Sequence, residues 1–433
     1  MKRSATIRTT LTRLAFENAA HSGLESVSVR GIAREAGCST AAIFQNFEGK
    51  ADLVVEAATL AARQDAEWHQ SLLAEMDGLI ANHLGFSDFL SAYVDMREAQ
   101  PQARVLSELL IRPGDDARCH ALLRDCYQAR IAFWEAILAP FGFAARFGAI
   151  VAEFVMMEEI YVYSLRNEPR YQLLMREAVR SLCGACFHQG AAAELTNEVN
   201  RQLQGNAYEA RRRSEQGRSE MPGELLRHAV EIIRSEGIAA LNQRTLARQA
   251  SVSPSMIAYH FKDMKTFKNE AIWQALVEDL PSEFDPASMV SLPRTLPEWV
   301  EFLDATLVAP PGSSVGGFYV SYSRMTCETS LLARSDRSLV PLVTYLREID
   351  GWGTYRLSRN IASLAGGVQR EHAAAFAVWL KAEALLRQAG VVCAADGRER
   401  ITHAMALIFP AAQVPPAQVP PAQVPPAQVP PTG

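Results

Sequence analysis

The sequence predicts an all-α protein of two similar units, each a small three-helix module followed by a larger helical domain. Three observations carry that reading. Apolar residues recur at helical spacing through the long stretches, and no sustained alternation of β-branched residues with turns interrupts them. Laying Ala15 on Ala229 also lays Gly23 on Gly237, Ala33 on Ala247, Ala36 on Ala250, Ser39 on Ser253, Ile43 on Ile257 and Phe47 on Phe261, while solvent positions drift. The length of 433 residues exceeds one ordinary domain.

Each element follows from local pattern. Ile7, Leu11, Leu14, Ala15 and Ala19 trace a helix that Gly23 should stop with a left-handed cap; Leu225, Ala229, Ile232 and Ile233 do the same before Gly237. Ser28 and Asn242 stand as N-caps of short helices near 29–36 and 243–250. After Gly37, Ser39 caps a third short helix near 40–46, and Ser253 stands in the same place in the second copy. Ile32, Ile43, Phe47, Leu246, Ile257 and Phe261 read as the small cores of these modules. Longer helical stretches follow, broken by Pro101, Pro113, Pro140 and Pro169 in one copy and by Pro281, Pro286, Pro293, Pro297 and Pro310-Pro311 in the other. The expected layout is therefore a module at 1–53, a helical domain at 54–195, a charged linker at 196–221, a second module at 222–266, a second helical domain at 267–410 and a tail at 411–433. The tail repeats Ala-Gln-Val-Pro-Pro and cannot bury a core.

Composition narrows the function. Hydrophobic residues at 48% and charged residues at 21% suit a globular chain, and a net charge of -5 excludes a general electrostatic glue for nucleic acid. Basic charge is local: residues 1–50 hold seven Lys/Arg against four Glu, and residues 211–268 hold eleven against six acidic residues. No apolar run approaches the ~18 residues of a membrane span, and no signal-peptide stretch opens the chain, so a cytoplasmic protein is expected. The seven cysteines lack framework spacing. Cys183 and Cys186 form a lone CxxC near His188, read as small residues near a helix end; no metal or cofactor is expected.

The run from Ser28 to Lys50 reads helix, tight turn, helix. In such a motif the second helix enters the major groove with its N-terminal residues toward the bases. The segment Ile32-Ala33 … Ala36-Gly37-Cys38-Ser39-Thr40-Ala41-Ala42-Ile43-Phe44-Gln45-Asn46-Phe47-Glu48-Gly49-Lys50 resembles the DNA-binding signature of TetR/AcrR regulators. The second copy, Leu246-Ala247 … Ala250-Ser251-Val252-Ser253-Pro254-Ser255-Met256-Ile257-Ala258-Tyr259-His260-Phe261, resembles it too. The resemblance implies that Ser28, Arg30, Ser39, Thr40, Ala41, Phe44, Gln45, Asn46 and Lys50 meet DNA in one copy. In the other it implies Asn242, Arg244, Ser253, Pro254, Ser255, Tyr259, His260 and Lys265. Arg30, Arg244, Lys50 and Lys265 would touch phosphate, which fixes register without reading sequence. Phe44 and Ala258 stand where the family has Tyr, Ser251 replaces the turn Gly, and Lys265 falls one place late behind Met264.

The same resemblance implies that the larger domains bind an unknown small-molecule effector and form the subunit interface. Pocket candidates are Trp134, Met156 and Tyr161 in one copy and Trp299, Tyr322 and Trp352 in the other; core packing is the plainer reading of each. Family members act as homodimers on palindromic operators, and this chain could instead form a pseudo-dimer within itself. Glu158-Glu159 and Glu371-His372 read as isolated pairs without a third partner. No nucleophile elbow, phosphate loop, dinucleotide fingerprint or zinc motif occurs, so no catalytic residue is assigned. A co-regulator acting through protein contacts, with one degenerate head, is the alternative to a repressor with two heads.

Overall fold

The computed structural model describes residues 2–80, 82–114, 116–142, 144–186, 220–261, 263–277, 292–308, 317–364 and 367–409. Most of the linker, its basic run at 211–213, His188 and the Pro-rich tail lie outside the described residues.

The first small module comprises α1 (Lys2–Ser22), a 3-10 turn (Leu24–Ser26), α2 (Val29–Glu35) and α3 (Thr40–Phe44). Helix α4 (Lys50–Met76) runs unbroken across the boundary read at 53/54, so one rigid rod joins the module to the domain above it. That domain continues with α5 (His83–Arg97), α6 (Pro101–Ile111), α7 (Ala117–Leu138), α8 (Ala144–Leu165) and α9 (Pro169–Cys186). Pro101 and Pro169 each open a helix, where a missing N–H costs no hydrogen bond.

The second half repeats the order with α10 (Glu220–Glu236), a 3-10 turn (Ile238–Ala240), α11 (Gln243–Gln249), α12 (Pro254–His260) and α13 (Met264–Val277). Its larger part holds α14 (Leu296–Leu307), α15 (Phe318–Ser335), α16 (Val340–Ile349), α17 (Trp352–Ser358), α18 (Arg370–Gln388) and α19 (Gly397–Ile408). Among the described residues every regular element is helical. Since α10 begins at Glu220, the last two residues read as linker are helical.

Gly23 does not form a left-handed cap. Its φ of 93° is positive but its ψ of 158° is extended, so the chain leaves α1 sharply and enters the 3-10 turn. Gly237 does likewise at φ 88° and ψ 168°. A Cβ at either site would also lie 2.9–3.0 Å from a carboxylate oxygen, of Glu108 or of Glu328, so glycine is needed for space as well as for φ.

The halves meet through α8 and α9, which pack on α15, α16, α18 and α19. The Glu158-Glu159 pair, read as isolated, becomes partnered there, whereas the Glu371 carboxylate is buried without a hydrogen-bond partner among the described residues. Glu158, fully buried, takes Arg347 Nη2 at 2.6 Å and the Tyr171 hydroxyl at 3.1 Å. Glu159, also fully buried, takes Arg97 Nε at 2.9 Å and Arg130 Nη1 at 3.0 Å. Glu153 shares Arg400 with Glu383, joining α8 to α18 and α19. Pairing of this kind offsets the cost of burying a carboxylate, and stripping one partner typically costs about 3–5 kcal/mol.

Candidate nucleic-acid interface

The first head places its candidate residues by burying the others. Ile32, Ile43 and Phe47 face inward with Val27 and Ala15, each removal from water worth roughly 1.5–3 kcal/mol for the large side chains. Gly37, at φ 65°, turns α2 into α3, and Cys38 N–H closes the turn on the Ala33 carbonyl at 2.9 Å. Ser28 accepts Gly31 N–H at 3.1 Å and Ser39 accepts Ala42 N–H at 3.3 Å, so both cap as expected. The outward face of α3 and its ends then exposes Ser39, Thr40, Ala41, Phe44 and Gln45, with Arg30 and Ser28 exposed on α2 beside them. Phe44 is 59% exposed, an unusual place for a phenyl ring unless something covers it.

Two candidates depart from a simple outward role. Asn46 is half-buried and its amide donates back to the Ala42 carbonyl at 2.8 Å. Lys50 is exposed at the start of α4, with Nζ donating to the Glu25 carbonyl at 2.9 Å. Sequence reasoning missed Arg8, which bonds the Asn46 carbonyl, pairs with Glu56 at 2.6 Å and stacks its guanidinium 4.6 Å from the Phe47 ring. It fixes the end of α3 against α1 and α4.

The second head has the same construction with different side chains. Leu246, Ile257 and Phe261 are buried, and Val252 N–H reaches the Ala247 carbonyl at 3.0 Å. Ser251 takes the turn at φ 54°, the one non-glycine with positive φ among the described residues. Asn242 accepts the N–H groups of Arg244 and Thr245 at 3.1 and 3.0 Å. Ser253 does not cap: its hydroxyl lies 2.8 Å from that of Ser255, and Pro254 opens the helix instead. Pro254, Ser255 and Arg244 are exposed, Tyr259 is 82% exposed and His260 half-buried. Lys265 pairs with Asp336 at 3.0 Å.

Each head is clamped to its larger domain by one carboxylate and one arginine that sequence reading did not single out. Glu108 accepts Leu24 N–H at 2.6 Å and Arg104 Nε at 3.1 Å, while Arg104 Nη1 donates to the carbonyls of Ala20 and His21. Burial pushes the Glu108 carboxyl above its ordinary value despite these donors. Glu328 accepts Ile238 N–H at 2.8 Å, and Arg324 donates to the Arg234 carbonyl. The arginine on Glu328 is Arg112, from the first half, at 2.9 Å.

Residues 11–57 match the family model described as bacterial regulatory proteins, tetR family. The match covers α2, α3 and the turn between them, and it supports a TetR-type regulator with a helix-turn-helix DNA-binding domain there. It ends at residue 57 and does not reach the second head. No curated protein matches the chain.

The six effector candidates do not converge on one cavity. Trp134 packs among Phe86, Phe89, Tyr93 and Phe133, and Trp299 stacks on Phe409. Met156 borders a void of about 20 Å³ and Trp352 lies beside Tyr355. Tyr161 and Tyr322 do come together at the buried Lys381 ammonium, which lies 5.4 and 5.2 Å from their rings and also pairs with Asp350. Beside Trp134 lies a closed polar cluster: Asp65, Arg97, Arg130 and Glu159, with His69 held by the Tyr93 hydroxyl at 2.6 Å. Burial lowers the His69 pKa to about 3, so the ring is neutral. Cys183 and Cys186 are buried in α9 and burial pushes both thiols up. No helix among the described residues is long and apolar enough to cross a membrane.

Proposed function

We propose that this chain is a sequence-specific transcriptional regulator, a cytoplasmic repressor released by a small-molecule effector, built from two fused TetR-like units. The observation that carries the reading is the outward face of α3. Thr40, Ala41, Phe44 and Gln45 are exposed on a helix whose Ile43 is buried, within the residues the family model matches. Support for a second unit is the recurrence of turn and helix order in residues 220–277, with Glu328 accepting Ile238 N–H as Glu108 accepts Leu24 N–H. Support for a dimer-like arrangement within one chain is the packing of α8 and α9 on α18 and α19.

The two outward sets differ, Thr40, Ala41 and Gln45 against Pro254, Ser255 and Tyr259, so the operator should lack two-fold symmetry. Binding-site selection, footprinting and light scattering test this together. A single-chain mass near 47.6 kDa with an asymmetric footprint over two major grooves is expected. About twice that mass with a palindromic footprint would overturn the single-chain arrangement. Protection of one groove alone would leave a regulator with one reading head.

A further inference from the structure

We propose that the cleft between the first head, α6 and α15 is a binding site for a small amphipathic anion, a molecule with an apolar body and one carboxylate. The cleft measures about 710 Å³, within the ~300–1,000 Å³ that suits a small ligand. Its walls belong to both halves. Leu24 comes from the first head, Val54 from α4, Leu109 and Ile111 from α6, and Leu331 and Leu332 from α15. Leu24, Val54, Leu331 and Leu332 are half-buried and supply the surface for an apolar body, with Leu109 and Ile111 buried behind them.

The charge of the ligand follows from which wall groups already have partners. Glu108 holds Leu24 N–H and Arg104; Glu328 holds Ile238 N–H and Arg112. Asp116 pairs with Arg118 at 2.8 Å, and Glu25 with Arg112 at 3.3 Å. Lys50 is different. Its ammonium rests on a backbone carbonyl, and among the described residues no carboxylate pairs with it. It also opens the 27-residue α4, whose N-terminal N–H groups add positive potential. A carboxylate entering the cleft would find Lys50 without a carboxylate partner, whereas a cation would compete with Arg112, which Glu25 and Glu328 share.

On the DNA-binding reading above, the site is also regulatory: a ligand on Lys50 competes with phosphate, and it lies against Arg112, which holds the second head. The test leaves DNA out, so failure of the site and failure of that reading remain distinguishable. The full chain is titrated by calorimetry with octanoate, 1-octanol and octyltrimethylammonium. Octanoate should bind saturably, one per chain, and about fivefold or more tighter than octanol, as one exposed ion pair allows. Lys50→Gln should bring octanoate down to the level of octanol. Leu331→Trp and Ser335→Trp should each weaken octanoate by about tenfold or more. Ser335 is exposed, so its variant serves even if the Leu331 variant misfolds. Absence of saturable octanoate binding, tighter binding of the alkylammonium, or wild-type affinity in a folded tryptophan variant would each overturn the site.

Discussion

The two head junctions share one plan and differ in where the balancing charge originates. In the first half, the carboxylate on the turn and the arginine that pairs with it, Glu108 and Arg104, lie one helical turn apart on α6. In the second half, Arg324 keeps only the carbonyl contact, and Glu328 is paired by Arg112 from across the molecule. The first clamp is therefore balanced locally, while the carboxylate of the second takes its counter-charge from the first half. Coupling between heads needs a physical link with partners on both sides, and Arg112 bonds Glu25 of the first head as well as Glu328.

The largest effect that would break this comparison concerns Arg112. Arg112→Met leaves Glu328, 3% exposed, with the Ile238 N–H as its donor and Lys268 as the nearby cation. The second head should lose about 2–3 kcal/mol of local stability, read as faster amide exchange over 238–250 with 24–36 little changed. Equal loss in both heads would mean that the junctions are not differently wired. The next effect concerns the turns. Ser251→Gly should stabilise the chain by about 1 kcal/mol in urea unfolding, because a side chain is strained at φ 54°. Gly37→Ser should cost a similar amount, since open space surrounds its Cβ position and only the backbone is strained.

Capping separates the heads more finely. Ser39→Ala should cost about 1 kcal/mol, and Ser253→Ala less than about 0.5 kcal/mol, because only Ser39 accepts a helix N–H. A matching loss at Ser253 would show that the second cap forms after all. The smallest effect is on DNA. Lys50→Ala should weaken all sequences alike and reduce the salt-dependence slope by about 1. Lys265→Ala should change the slope less, since Lys265 must first leave Asp336.

The helix-turn-helix was legible because its determinants are close in sequence. Gly37 supplies the turn, Ser28 and Ser39 reach N–H groups three residues on, and the apolar spacing of Ile32, Ile43 and Phe47 selects the buried face. Gly23 was legible as a break but not in its conformation, which depends on Glu108, 84 residues beyond the Leu24 N–H it accepts. Aromatic residues proposed for the effector were legible as buried and no further, because periodicity gives a face and not what lies opposite it.

Sequence alone determined the all-helical class, the first head and its outward residues, since propensity, caps and turns act over a few positions. Tertiary structure decided the charges. Glu158 and Arg347 are 189 residues apart, and on the chain Glu158-Glu159 reads as an isolated pair on a helical pattern. Only when α8 packs against α5, α7 and α16 do Arg97, Arg130 and Arg347 arrive within reach. Burial of a carboxylate and arrival of its counter-charge are one event of packing, and neither is written at the residue itself.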